Sequence, residues 1–167
     1  MTKTEDNLAE AFAGESQANR KYLAYGDAAA KEGLPQVAKL FRAVAAAETI
    51  HALAHFRALG GVRKTAENLA AAIAGEKHEF ESMYPGFVAT AEAEGNRPAT
   101  VSMRNALAVE KVHHGLFLGA LDAVTGGADL PEAGIHVCDV CGHTVIGDAP
   151  DRCPVCGAGK ARFGEIG

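Results

Sequence analysis

Apolar side chains recur at intervals of three, four and seven over most of the first 126 residues, the period of helices that bury one face. Four helical stretches follow. The first runs from Thr4, a candidate N-cap, to Lys31, with Gly33 as its stop. The second opens at Pro35, a residue suited to a first turn, and ends before Gly60-Gly61. Thr65 can cap a further helical piece whose continuation, Gly75 to Glu94, is the third helix, with a bend expected at Pro85-Gly86. Gly95 ends it, and Pro98 opens a fourth helix that reaches Thr125. Short loops make each successive pair an antiparallel hairpin. The connection between the second and third helices reads as a longer crossover with helical turns of its own.

The informative feature is what interrupts the apolar stripes. The first helix carries Leu8, Phe12, Glu15 and Tyr22 on one stripe, and the second carries Val37, Phe41, Val44, Glu48, His51 and His55. The third gives Leu69, Ile73, Glu76, Glu79 and Met83, and the fourth gives Met103, Leu107, Glu110, His113, Phe117 and Val124. Every helix thus turns a carboxylate toward the core, where an unpaired charge is expensive. Two of them add a His three residues after the Glu, on the same face. Glu15 lies 18 residues before the turn at Gly33 and Glu48 lies 15 after it; Glu79 lies 17 before Asn96 and Glu110 lies 14 after it. At about 1.5 Å per residue both pairs meet at one level. Five carboxylates and two imidazoles converging in a core call for cations. Two divalent metals, iron or manganese by donor type with zinc not excluded, nearly cancel the charge.

Composition changes at the end of the fourth helix. Of 34 Ala, 29 fall in residues 1–126, whereas residues 127–167 hold all four Cys and 8 of the 19 Gly. Residues 127–134 read as a linker between a helical domain, 1–126, and a small domain, 135–167. The cysteines stand as Cys138-x-x-Cys141 and Cys153-x-x-Cys156, the spacing of a tetrahedral four-thiolate site. Iron there would be a one-electron carrier, and structural zinc would use the same ligands. His136 and His143 flank the motif and read as surface or turn residues rather than ligands. The net charge of −5 argues against nucleic acid and against anionic membranes. No run of about 18 apolar residues exists to span a bilayer, and the polar opening residues Met1 to Asn7 carry no leader pattern, so a cytoplasmic location is expected.

Together, Ala13-Gly14-Glu15-Ser16-Gln17-Ala18, the two Glu-x-x-His motifs, Gly75-Glu76-Lys77-His78-Glu79 with Met83-Tyr84-Pro85, and the cysteine tail resemble the rubrerythrin family over nearly the whole chain. The resemblance implies a mostly α fold, a ferritin-like four-helix bundle followed by a rubredoxin-like metal-bound β/loop domain. It implies a diiron site held by Glu15, Glu48, His51, Glu76, Glu79, Glu110 and His113, and one iron on Cys138, Cys141, Cys153 and Cys156. It further implies reduction of hydrogen peroxide to water in oxidative-stress defence, with Glu79 and His51 exchanging at one iron and Tyr22 and Tyr84 bonded to ligating carboxylates. Electrons are expected from a separate reductase or rubredoxin, because no dinucleotide-binding glycine fingerprint is present. From Glu110 to the end of its helix is roughly 24 Å, too far for fast transfer within one extended subunit. A head-to-tail homodimer is therefore expected, with one chain's tail near the other's diiron site. The resemblance implies the same arrangement. The rival readings are a ferritin-like iron-oxidising, iron-binding protein, and a zinc-holding assembly module without catalysis.

Overall fold

The computed structural model describes residues 2–167. Helix α1 spans Lys3–Lys31 and α2 spans Pro35–Ala58. Helices α3 (Thr65–His78) and α4 (Tyr84–Ala93) are joined by a π-helical turn, Glu79–Met83, and α5 spans Arg97–Thr125. Three short strands follow, β1 (Ile135–Cys138), β2 (Thr144–Ile146) and β3 (Phe163–Glu165), in the order β2-β1-β3 with both pairs antiparallel. By compactness the chain divides into Met1–Arg63 and Lys64–Gly167. The composition boundary at 127–134 therefore falls inside the second unit. No helix among the described residues is long and apolar enough to cross a membrane.

Several boundaries differ from the sequence reading for identifiable reasons. Thr2, not Thr4, caps α1: its Oγ1 accepts from Glu5 N while Glu5 Oε2 accepts from Thr2 N, a reciprocal box that starts the helix two residues early. Asn96 caps α5 through its side chain, which accepts from Ala99 N. The helical turns expected within a long crossover belong to α3 itself, so α2 and α3 are joined only by residues 59–64. Immediately before Pro85-Gly86, where a bend is expected, the structure has the π turn. Pro85 has no N–H to return to the carbonyl four residues back. The widened turn accommodates this, with Tyr84 N–H bonding Glu79 O five residues behind, and the helix continues.

In the first unit, α2 places Ala38, Ala45 and Ala52 seven residues apart, all buried against α1. Such small residues let the two backbones approach closely. A methyl at Gly26 would meet Ala38 O at 3.3 Å. Buried Asn19 uses that proximity, donating from Nδ2 to Ala45 O at 2.6 Å and Thr49 Oγ1 at 2.8 Å. Phe12 stacks on Phe56 near the far end of the hairpin. Gly33, with φ +78°, makes the left-handed turn that reverses the chain.

If this close seam sets the level of Glu15 against Glu48, overpacking it should be costly. Ala45→Leu is expected to destabilise the protein by about 1–3 kcal/mol, whereas Ala46→Leu on the exposed side changes little; denaturant unfolding checks both.

Candidate metal centres

Each hairpin gathers one carboxylate from its first helix and a Glu-x-x-His pair from its second. In the first, His51 Nδ1 lies 2.9 Å from Glu48 Oε2 and 3.9 Å from Glu15 Oε1. In the second, His113 Nδ1 lies 2.8 Å from Glu110 Oε2 and 4.0 Å from Glu76 Oε2. Within each triad the ligand atoms fall within 4.8 Å of one another. The near-identity has a sequence counterpart: Glu15 precedes Glu48 by 33 residues and Glu76 precedes Glu110 by 34. The two hairpins present the same three donors in the same geometry.

Electrostatics show what the second triad is built for. Burial, then the charge of Glu110 and a hydrogen bond with it, push Glu76 up to about 7. A cavity of about 580 Å³ lined by Leu69, Leu116, Phe117, Leu130 and Ile146 adjoins Glu76 and His113, which accounts for the poor solvation. Two carboxylates that repel this strongly are stabilised either by a proton or by a cation, and oxygen plus imidazole donors fit iron. Glu79, half-buried, opens the π turn and lies outside both triads. Tyr84 closes that turn; burial first, and then Glu79, Glu110 and Glu76, raise its hydroxyl above the ordinary tyrosine value. Tyr22 is in the first unit, in an aromatic cluster with Tyr25 and Phe41.

The four thiols form a second donor set. Cys138 Sγ is 3.7 Å from Cys156 Sγ, and Cys141 Sγ is 3.5 Å from Cys153 Sγ, with all four free of disulfides. A tetrahedron with metal–sulfur bonds near 2.3 Å has edges of about 3.8 Å, so the cage fits a metal. Gly142 and Gly157, at φ +84° and +76°, return their N–H groups to Cys138 O and Cys153 O and close the two knuckles. The thiols are not equivalent. Burial pushes Cys141 up to about 12. For Cys153, burial is outweighed by the N–H groups of Cys156 and Val155, which bring it down to about 7.

One expectation is corrected here. The 127–134 segment does not carry the tail outward; the chain folds back, and His113 Nε2 reaches Thr144 Oγ1 at 3.0 Å and Gly142 O at 3.3 Å. The cysteine unit therefore rests on α5 of its own chain, and the roughly 24 Å of helix beyond Glu110 does not separate them. Gly142 and Thr144 escaped the sequence reading because only the β1–β2 register, with Val137 opposite Thr144, brings them to this edge. His143, expected at the surface or in a turn, is in the turn but buried, at 8% exposure, with its ring edge-on to Phe163 and Nδ1 unpartnered.

A helical carboxylate–histidine centre joined to a tetrathiolate unit defines a non-haem iron protein. The rubrerythrin family model matches residues 6–121, and that of the rubrerythrin rubredoxin-like domain matches 136–164. Rubrerythrin-2 of Clostridium acetobutylicum is 34% identical over 174 positions, covering 96% of this chain and 95% of that protein. Rubrerythrin of Nitratidesulfovibrio vulgaris is 34% identical over 182 positions, covering 99% and 95%. A solved structure of nigerythrin in its mixed-valence state matches with a TM-score of 0.57 at 31% identity, over 99% of this chain and 88% of that one. The chain belongs to the rubrerythrin family. The 182 aligned positions exceed this chain's 167 residues, so at least 15 of them have no counterpart here.

The Glu76–Glu110 pair gives a pH signature. Glu76 has an ordinary value of 4.5 and a folded value of about 7, so its proton favours the folded state. That stabilisation is fully present below 4.5 and is lost as pH rises through 7. Metal-free protein is expected to melt at lower temperature at pH 8 than at pH 5.5, and Glu76→Gln to reduce the difference. Thermal unfolding in a chelator reads it directly.

Proposed function

We propose that the chain is a non-haem diiron peroxidase that reduces hydrogen peroxide to water, acting in the cytoplasm in defence against oxidative stress. The observation that carries the reading is the contact between His113 and the cysteine unit, which joins an electron-carrying site to a two-metal site in one protein. An iron-oxidising or storage protein has no use for that connection. Family membership and the donor sets support the same reading.

Glu15, Glu48, His51, Glu76, Glu79, Glu110 and His113 would hold two irons, and Cys138, Cys141, Cys153 and Cys156 a third. When bound, the paired irons supply the two electrons that cleave the O–O bond, and the tetrathiolate iron restores them one at a time. The overall change takes hydrogen peroxide, two protons and two electrons to two waters. Protein groups manage the protons. Tyr84, whose hydroxyl is held protonated beside Glu79, donates toward the departing oxygen, and Glu79 returns the proton to it. Glu79 and His51 form the exchanging pair, and Tyr22 orients a carboxylate of the first hairpin. Electrons enter from a separate reductase or rubredoxin.

The working unit is a homodimer, supported now by chain length rather than by the reach of the tail. A ferritin-like bundle has one long crossover, which runs the height of the bundle between parallel second and third helices. Levelling Glu48 with Glu76 in that arrangement puts the end of α2 and the start of α3 about 31 Å apart along the axis. Residues 59–64 bridge roughly 25 Å at most. Glu15, Glu48 and His51 of one copy then meet Glu76, Glu110 and His113 of the other. Leu40 and Ile50 of α2, at 63% and 68% exposure, are apolar surface available to such a partner.

Anaerobically reduced, iron-loaded protein should be reoxidised by peroxide far faster than by dioxygen, followed by the visible absorption of the tetrathiolate iron; equal, slow rates overturn the peroxidase reading. Tyr84→Phe should slow the peroxide reaction about tenfold or more with unchanged iron content. For the dimer, a chain with Glu48→Ala and His51→Ala is mixed with one carrying Glu110→Ala and His113→Ala. Half of the native paired-iron content is expected in the mixed dimers, and none above the parents if each chain closes its own site.

A further inference from the structure

The residue that links His113 to the turn following Cys141 is Thr144. Its Oγ1 lies 3.0 Å from His113 Nε2 and 3.1 Å from Gly142 O. The imidazole also faces Gly142 O directly, at the longer distance of 3.3 Å. A hydroxyl has one proton to give and lone pairs to receive another. Gly142 O can only accept, so Thr144 donates to it, and the Thr144 oxygen accepts from His113 Nε2–H. The hydrogen bonds thus run in one direction, from His113 through Thr144 to the carbonyl that follows Cys141. This order decides the tautomer of His113: the proton is on Nε2, and Nδ1 keeps its lone pair toward Glu76 and Glu110, where a metal would be.

The surroundings hold the hydroxyl in place. Thr144 opens β2 opposite Val137 of β1, and the next residue of β1, Cys138, donates its N–H to His143 O at 2.9 Å. A methyl group at Gly142 would lie 3.8 Å from Cγ1 of buried Val109 of α5, so the turn lies close to the helix. Thr144 and His113 both line the apolar cavity beside Glu76, where few competing partners exist.

We propose that Thr144 is a positioning residue: its hydroxyl fixes ligand His113 in the Nε2–H tautomer and joins it to the Gly142 carbonyl. The proposal rests on the diiron reading for the meaning of Nδ1, but the latch itself is a property of the chain. A strand position alone accounts for a β-branched residue here, and Val serves that purpose as well as Thr. The hydroxyl is what distinguishes the two.

Thr144→Val keeps the shape and removes the hydroxyl, and Thr144→Ser keeps the hydroxyl. The first readout is nitrogen-15 NMR of the histidines in zinc-loaded protein, which is redox-silent. Wild type is expected to show His113 metallated at Nδ1, with an Nε2–H that exchanges slowly with solvent. In Thr144→Val that exchange should quicken about tenfold or more, and Thr144→Ser should restore most of the protection. The second readout is passage of one electron from the pre-reduced tetrathiolate iron to an oxidised iron of the carboxylate centre. It should slow about tenfold in Thr144→Val with the tail's absorption spectrum unchanged, and recover in Thr144→Ser. Unchanged Nε2–H protection in Thr144→Val overturns the proposal, as does a loss that Thr144→Ser fails to repair. If His113 takes no metal at Nδ1, the diiron reading fails, while the exchange of Nε2–H still reports on the latch.

Discussion

Carboxylates turned toward helix–helix seams are the constraint that the other features of this protein accommodate. A buried Glu beside a second Glu is tolerated only when a proton or a cation lies between them, and Glu76 shows the strain of that choice in its raised affinity for a proton. The seams that carry these groups are therefore made of parts that hold the backbone closely. In the first hairpin the alanines at 38, 45 and 52 bring α2 against α1, and Asn19 pins the two together one turn beyond Glu15. The same donor geometry in the second hairpin is held differently, by the packing of α3 and α5 and by a π turn directly after the ligand-bearing segment. Two structural solutions deliver one arrangement of donors, repeated to within about a tenth of an ångström in the His–Glu distances.

Much of this was legible in the sequence because helical period and rise are rigid quantities. Knowing that Glu15 and Glu48 sit near equal distances from Gly33 was enough to place them together, whereas the same count linked Glu79 to Glu110 and the structure sets Glu76 there instead, with Glu79 outside the triad. The cysteine cage was legible for a different reason, since two closed knuckles leave the thiols few ways to point. What stayed hidden depended on competition or on distance. Thr2 and Thr4 both suit an N-cap, and only the reciprocal bond with Glu5 decides between them. Pro85 announces an irregularity without saying whether the helix bends or widens. The direction of residues 127–134 could not be counted, because a flexible segment has reach but no heading.

That return of the chain has a physical logic. The tail cannot bury much of itself, having three strands of three or four residues and few large apolar side chains. Packing against α5 gives Gly142 a neighbour in Val109 and gives Thr144 a partner in His113. Gly142 is needed for its left-handed backbone, which closes the knuckle on Cys138. The inequality of Cys141 and Cys153 fits this placement. Cys141, next to the docked turn, is poorly solvated and reluctant to ionise, whereas Cys153 is stabilised as a thiolate by backbone N–H groups. Metal binding must overcome the first and is assisted by the second.

The two imidazoles differ in a way that their first ligand contacts do not reveal. Both present Nδ1 to a carboxylate at nearly the same distance, yet the His113 side chain is 26% exposed and the His51 side chain 54%. His113 is held at its far nitrogen by Thr144 and Gly142, so moving it means breaking the connection to the cysteine unit. His51 is half exposed on the first hairpin. The two hairpins offer matching donors with different support, the imidazole of the second being tied to the cysteine unit. In the function proposed above, that tie puts electron entry on the His113 side. Glu79 stands at the mouth of the π turn, outside both triads.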